Sequence, residues 1–111
     1  MLIDITIENF RSFENQVVFS MAAGPRLTKY KETNTFISKK IRLLKSAYIF
    51  GGNANGKTNV LYAFALLKQL VAIPTVSEVQ SLMTDTFANN EKDSSFTLRF
   101  IKDGNLYVYY L

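Results

Sequence analysis

Gly51-Gly52-Asn53-Ala54-Asn55-Gly56-Lys57-Thr58 is the stretch of sequence on which the interpretation of the whole chain depends. It matches the pattern Gly-x-x-x-x-Gly-Lys-[Ser/Thr] at every fixed position. Glycine allows backbone angles that a side chain forbids, so successive N–H groups can turn inward and form a concave site for an anion. A helix that follows adds the partial positive charge of its N-terminus. The pattern therefore predicts a phosphate-binding loop.

Two side chains of this loop have chemistry that suits a polyphosphate. We expect the Lys57 ammonium to lie between the terminal phosphates. We expect the Thr58 hydroxyl to ligate Mg²⁺, which keeps most of its water and takes its remaining oxygens from phosphate. Thr58 is thus the predicted metal ligand.

The segments on either side of the loop also fit the pattern. Residues 46–50 form a short apolar run, which predicts a central parallel strand buried on both faces. Residues 59–72 contain no Gly or Pro and carry apolar side chains at helical spacing. Because most other positions there are apolar too, we expect a mostly buried helix. The alternative is a glycine turn between a strand and a helix that merely carries a lysine.

Length and composition restrict the class of protein. A chain of 111 residues predicts one small domain, residues 1–111. There is no cysteine and no histidine, which excludes disulfides, thiolate metal sites and a histidine-based nucleophile relay. No apolar run approaches the roughly 20 residues that cross a membrane. The N-terminus lacks the features of a signal peptide, so we expect a cytoplasmic protein.

The net charge of +4 is unevenly distributed. Between residues 26 and 45 the only acid is Glu32. The basic residues of this segment are Arg26, Lys29, Lys31, Lys39, Lys40, Arg42 and Lys45. Such a stretch is either the electrostatic footprint of nucleic-acid binding or a solvated loop of lysines. No interleaved aromatic residues indicate a base-stacking platform.

Periodicity elsewhere predicts a series of short elements. The predictions are strands at 2–8 and 16–21 that pair antiparallel, a mostly irregular segment at 28–40, a short helix at 75–83, a loop at 88–95, and a hairpin of 96–100 with 106–111. Asp103 and Gly104 supply the hairpin turn.

Asn9-Phe10-Arg11-Ser12-Phe13 lies between the first strand and the loop, and the loop extends as Gly-x-Asn-x-x-Gly-Lys-[Ser/Thr]-Asn over residues 51–59. With the polar insert between them and the later hairpin, these motifs resemble the start of the ABC-type ATPase heads of the RecF, SMC and OLD group. They are most similar to stand-alone ATP-binding proteins related to OLD nucleases. The resemblance implies an α/β fold. It would be the N-terminal lobe of a P-loop NTPase, in which antiparallel β strands flank a strand–P-loop–helix unit.

The resemblance also implies ATP and Mg²⁺ as cofactors. It assigns Arg11 as the arginine that approaches the nucleotide from the first strand turn, although a surface arginine in a turn is the alternative. It assigns nucleotide contacts to Asn53, Ala54, Asn55, Gly56, Lys57, Thr58 and Asn59. Phe10 and Phe13 are expected to be core anchors rather than adenine stackers.

A complete ATPase of this group needs further motifs that this sequence lacks. These are a Walker B strand that ends in Asp-Glu, a signature motif, a glutamine loop and a switch histidine. Because phosphoryl transfer depends on placing water and neutralising charge, we expect the chain alone to be inactive in hydrolysis. The end of the sequence inside a predicted strand favours an excerpted or truncated lobe. Its expected partners are a C-terminal ATPase lobe or a second head, such as another copy, and DNA or RNA.

Two other functions stay open at this point. One is a regulatory module that binds ATP or GTP without hydrolysis. The other is a nucleic-acid-binding domain that uses residues 26–45 and keeps the loop for backbone phosphates. The guanine-reading pattern Asn-Lys-x-Asp is not found in the sequence, and the preference for ATP rests on the resemblance. For the full protein, the resemblance implies DNA repair or phage defence.

Overall fold

Residues 1–73 and 84–111, which the computed structural model describes, form a mixed α/β fold with antiparallel strand pairs. The elements are β1 (Leu2–Glu8), β2 (Val17–Ser20), α1 (Lys31–Asn34), β3 (Thr35–Ser38), β4 (Ile41–Leu44), α2 (Lys57–Ala72), a 3₁₀ turn (Phe87–Asn89), β5 (Ser95–Lys102) and β6 (Asn105–Tyr110). One sheet has the strand order β2-β1-β5-β6, and β3 with β4 forms a second, two-stranded sheet. The predicted α/β class with antiparallel strands is confirmed.

The chain folds into two compact units. The first consists of Met1–Thr6, Val18–Ile49 and Phe96–Leu111, and the second of Ile7–Val17 and Phe50–Ser95. The second unit contains the glycine loop, α2 and the Asn-Phe-Arg-Ser-Phe turn, so the candidate site belongs to it. Within the described ranges, no helix has the length and apolarity required to span a membrane.

The alternation predicted for β1 is confirmed, with one addition. Ile3 and Ile5 are buried, as the pattern requires. Asp4, which strict alternation with Ile3 and Ile5 would place on the polar face of a half-buried strand, is also buried, at 3% exposed. Arg99 covers it, because its Nε donates to Asp4 Oδ1 at 2.7 Å and its Nη2 bonds the other carboxylate oxygen. The hydrogen bond to Asp4, and then its charge, raise the pKa of Arg99. A buried carboxylate is tolerated when it is paired in this way.

The hairpin predicted near the end of the sequence is confirmed as β5 and β6. The strands pair antiparallel, and Asp103 and Gly104 turn between them with φ of 51° and 76°. Two consecutive positive φ angles suit the right-handed twist of the strands. Across the pair, the rings of Phe100 and Tyr107 stack with centroids 5.3 Å apart.

The segment at 28–40 was predicted as mostly irregular, and this is wrong. It contains α1 and then β3, which pairs antiparallel with β4. Lys39 makes the hairpin turn without a glycine by adopting φ 54°, so the usual turn signal was absent. The pairing brings Leu43 into a buried cluster with Ile3 and Ile101. The strand predicted at 16–21 is also shorter, as β2.

The predicted strand at 46–50 is not formed. These residues have no regular secondary structure, and Tyr48 and Phe50 are 82% and 87% exposed. An apolar run becomes a buried parallel strand only where neighbouring strands satisfy its backbone and cover both faces. Neither sheet of the described chain includes this run. Of the expected strand–loop–helix unit, the structure therefore shows the loop and the helix.

The helix predicted after the loop is confirmed as α2, but it is buried along one face only. Val60, Ala63, Leu66 and Leu67 form the buried face. Leu61 and Val71, also predicted to be inside, are 62% and 60% exposed. The apolar residues around the whole helix predicted burial on all sides, but the second unit covers only one face of it. The helix predicted at 75–83 lies outside the described residues.

Candidate functional site

The glycine loop folds back on itself ahead of α2. A Cβ atom on Gly52 would lie 3.3 Å from Asn55 Nδ2, and one on Gly51 would lie 3.8 Å from Lys57 Cδ. Ala54 and Gly56, separated by one residue, have φ of 63° and 79°. Left-handed residues in such a turn are what aim neighbouring N–H groups to one side. The loop thus has the curvature that an anion-binding nest needs.

Lys57 directs its ammonium back over the loop. Its Nζ donates to the Gly51 carbonyl at 2.8 Å and also bonds the Gly52 carbonyl. Both acceptors are neutral, whereas a phosphate oxygen carries negative charge and would add ionic attraction to the bond with the ammonium. The Lys57 ammonium can therefore exchange its two carbonyl acceptors for the oxygens of an anionic ligand.

The N-terminus of α2 is open for an anion. Its N-cap is Gly56, which gives no side-chain capping bond, and no acidic residue lies in the first turn. The first N–H groups of a helix have no intrahelical acceptor and carry partial positive charge. Thr58 is exposed in this first turn. A cavity of about 230 Å³ is lined by Asn53, Ala54, Asn55, Gly56, Lys57, Thr58 and Asn59.

The predicted loop residues are thus brought together in one cavity, with Lys57 as the charged group in its lining. For Mg²⁺, the Thr58 hydroxyl is the oxygen donor that the loop supplies. Among the residues that the structure covers, no group of three or more His, Cys, Asp or Glu could hold a metal. A single hydroxyl fits Mg²⁺, which takes most of its oxygens from water and phosphate at such sites.

Arg11 lines a different cavity. Its Nη2 donates to Asp85 Oδ2 at 2.7 Å, and its backbone N–H donates to the Asp85 carbonyl at 2.7 Å. Its guanidinium carbon lies 4.2 Å from the centre of the Tyr62 ring, a cation–π arrangement. This cavity, of about 130 Å³, is also lined by Phe10 and Leu66. The structure places Arg11 beside α2 with an acid and an aromatic ring as its neighbours.

Asn9 fixes the start of this turn and was not predicted as a site residue. It is 5% exposed, and its Nδ2 donates to Asn90 Oδ1 at 2.9 Å and to the Lys92 carbonyl at 2.8 Å. Asn90 returns a bond from its own Nδ2 to Asn9 Oδ1 at 2.8 Å. Ser94 Oγ donates to the Asn9 carbonyl at 2.6 Å. These partners stand 81 to 85 residues away in sequence, where no local pattern reveals them.

Ser12 and Phe13 contact the glycine loop itself. Asn59 Nδ2 donates to Ser12 Oγ at 2.7 Å. A Cβ atom on Gly56 would lie 2.9 Å from Phe13 Cε1. Asn59, predicted as a nucleotide contact, therefore uses its side chain to bond the turn. Of the two predicted core anchors, Phe10 is buried at 1% exposed, whereas Phe13 packs against the loop.

The basic segment lies in the first unit. Lys39 and Lys40 form the turn between β3 and β4 and are exposed. Arg42 is engaged locally, because its Nη2 donates to the Gly24 carbonyl at 2.8 Å. Tyr30 is 72% exposed between two lysines. The hairpin therefore presents positive charge to solvent.

Comparison of the chain with protein-family models, with curated proteins and with solved structures gave no match. The functional interpretation accordingly depends on the residues of the second unit and on their geometry.

Proposed function

We propose that this chain binds the polyphosphate of ATP, with Mg²⁺, through residues 51–58. The observation that supports the proposal is a curled loop whose lysine ammonium lies over it, joined to a helix N-terminus without a side-chain cap. The loop supplies N–H groups, the helix supplies partial charge, and Lys57 supplies a full charge. All three favour the same ligand, a chain of phosphates.

The binding reaction follows from these groups. Lys57 exchanges two neutral carbonyl acceptors for phosphate oxygens, whose negative charge adds ionic attraction to each bond. The Thr58 hydroxyl takes one position on Mg²⁺. Arg11 is a second cation in the same unit, and Asp85 would compete with phosphate for its guanidinium. The proposal is one of binding, since the sequence offers no Walker B pair to position water.

The wider role is proposed from the resemblance described above. The chain would be the Walker A lobe of a P-loop NTPase head of the RecF, SMC and OLD type, acting in the cytoplasm. Nucleotide binding would be coupled to association with a second lobe or a second copy. The processed substrate would be nucleic acid. In this setting the chain holds ATP, and its partner completes the apparatus for hydrolysis.

Isothermal titration with ATP, in the presence and absence of Mg²⁺, tests the proposal. Replacing Lys57 by Ala or by Gln should weaken binding by about 10- to 100-fold, because a hydrogen bond to a charged group contributes about 1.5–3 kcal/mol. Lys68→Ala is the matched control, since Lys68 is an exposed lysine of the same helix. Its affinity should equal that of the unmodified chain.

Two results would overturn the proposal. One is the absence of ATP binding by the folded, unmodified chain. The other is affinity that survives both Lys57 substitutions while circular dichroism shows an unchanged fold. Titration with GTP in parallel determines whether the base contributes to selection.

A second candidate function is favoured by the exposed hairpin turn at Lys39 and Lys40. Lysines projecting from a hairpin suit the phosphate backbone of a nucleic acid. This function would not require Lys57, so the same Lys57 variants distinguish it from nucleotide binding.

A further inference from the structure

The turn of residues 10–13 is closed by its own backbone hydrogen bonds and lies against the glycine loop. Phe10 and Phe13 exchange backbone hydrogen bonds in both directions, each at 2.9 Å. Arg11, inside the turn, has φ 51° and donates its N–H to the Asp85 carbonyl. A four-residue turn closed by two bonds and tied to a distant segment has little freedom. The side chains of Ser12 and Phe13 are consequently presented in fixed positions.

Ser12 holds the first turn of α2. Its Oγ accepts from Asn59 Nδ2 at 2.7 Å, and Asn59 N–H in turn donates to the Gly56 carbonyl at 3.1 Å. The serine is thus connected through one asparagine to the residue at which the loop becomes helix. A short side-chain bond of this kind fixes the rotation of the first helical turn relative to the 10–13 turn.

Phe13 lies against the same junction, on the same side of Gly56 as Ser12. A Cβ atom on Gly56 would lie 2.9 Å from Phe13 Cε1, 3.1 Å from Cζ and 3.2 Å from Ser12 Oγ. Real Cβ contacts of 2.9 Å essentially never occur, so the ring occupies the space that a side chain on Gly56 would need. Gly56 therefore has a left-handed φ and also lies against an aromatic ring, and both features disfavour any other residue at this position.

We infer that Ser12 and Phe13 are positioning residues for the phosphate loop. Their contacts with Asn59 and Gly56 stabilise residues 56–59. They thereby hold the N–H groups of Gly56, Lys57 and Thr58 in the orientation that receives phosphate. The inference rests on the proposed function and extends it to two side chains that need not touch the ligand. Preorganised donors bind more tightly than donors that must first be ordered.

Amide hydrogen exchange in the nucleotide-free protein tests the effect of these contacts on residues 56–59 independently of ligand binding. Ser12→Ala should speed exchange about fivefold at Asn59 and Val60, whose N–H groups donate to the Gly56 carbonyl at 3.1 and 3.2 Å, as expected for the loss of one hydrogen bond. Ser12→Thr keeps the hydroxyl and should restore slow exchange. Ser20→Ala is the control, because Ser20 Oγ accepts a bond from the Ala22 N–H in the first unit. It should leave exchange at Asn59 and Val60 unchanged.

Titration with Mg²⁺·ATP gives the functional measurement. Ser12→Ala should weaken binding about fivefold, and the loss in the Ser12→Ala/Asn59→Ala double variant should be smaller than the sum of the two single losses, because both remove the same bond. Ser12→Thr should bind as the unmodified chain does.

The outcomes separate the two proposals. Unchanged exchange at Asn59 and Val60 in Ser12→Ala, or acceleration spread evenly along α2, overturns the positioning role even if ATP binds. Additive losses in the double variant also overturn it. Faster exchange at Asn59 and Val60 in a chain that binds no ATP would overturn the proposed function, and with it any positioning role in binding, while showing that the turn stabilises the start of α2.

Discussion

Arg11 shows how a sequence motif can single out a residue without revealing the neighbours that the fold gives it. The Asn-Phe-Arg-Ser motif marked it as a nucleotide contact. In the structure its guanidinium lies over Tyr62 and is paired with Asp85. Both neighbours are reached by tertiary folding, since Asp85 stands 74 residues further along the chain. If Arg11 contributes to ATP binding, Asp85 competes with the nucleotide for its guanidinium.

Asp85→Asn should therefore strengthen ATP binding. The pair is partly exposed, with 30% and 61% of the two side chains accessible, and such surface pairs contribute about 0.2–1 kcal/mol. Removing the competitor should lower the Kd for Mg²⁺·ATP by up to about fivefold, measured by titration. Arg11→Gln should abolish the gain.

Glu91→Gln is the matched control for this measurement. It removes one negative charge from an exposed residue of the same unit and should leave the Kd unchanged. An equal gain in both variants would assign the effect to net charge. No gain in Asp85→Asn would show that Arg11 stays with its present neighbours when nucleotide binds.

At the scale of elements, those with a local sequence signal were predicted correctly, whereas those that depend on contacts with distant segments were not. The loop with α2, strand β1 and the β5–β6 hairpin were predicted because each has a local signal: a motif, an alternation, or an Asp-Gly turn. The β3–β4 hairpin was missed because Lys39 adopts a left-handed angle that lysine gives no reason to expect. The strand at 46–50 was overpredicted because apolarity specifies burial only when neighbouring strands exist.

The same distinction applies to the site. The seven residues from Asn53 to Asn59 were predicted, because the motif is contiguous, and they line one cavity. Asn9, Ser12 and Asp85 received no predicted role in it. Their contributions depend on contacts with residues far away in sequence, which composition and spacing do not encode.

The glycines in the two turns provide an element-scale prediction. Gly56 and Gly104 have similar φ, 79° and 76°, but only Gly56 has close neighbours, whereas Gly104 has nothing within 4 Å. Gly104→Ala should cost about 1–2 kcal/mol of unfolding free energy from the left-handed alanine alone. Gly56→Ala should cost about 1–3 kcal/mol more, because its Cβ also clashes with Phe13.

Urea unfolding of the two variants measures this difference. Gly56→Ala should also lose ATP affinity, since the loop must move away from the ring, whereas Gly104→Ala should bind normally. Equal unfolding free energies for the two variants would mean that the Phe13 contact is relieved without penalty. Phe13→Leu combined with Gly56→Ala should recover part of the loss by making room for the Cβ.

At the scale of the whole molecule, the first unit exposes an edge strand with unusual composition. Every residue of β6 is exposed, and β6 lies at one edge of its sheet. Residues 105–111 contain no charged residue and no proline. Natural edge strands are usually protected by lysine, proline or a bulge, because their unpaired backbone groups can bind another strand. This edge is therefore suited to pairing with a further strand.

We expect the isolated chain to self-associate through β6. Tyr109→Lys should shift the association to higher concentration, measured by sedimentation velocity over a dilution series, because a lysine on an edge strand opposes the addition of another strand. Tyr109 is 45% exposed and pairs with Leu98, so the substitution leaves the hairpin partners in place.

Val18→Lys is the matched control, because it introduces the same charge on β2, at the opposite edge, where Val18 is 55% exposed. If β6 is the contact, only Tyr109→Lys changes the sedimentation. Two results would show that copies do not associate through the β6 edge. One is an unmodified chain that stays monomeric throughout the series, and the other is an equal shift in sedimentation for Tyr109→Lys and Val18→Lys.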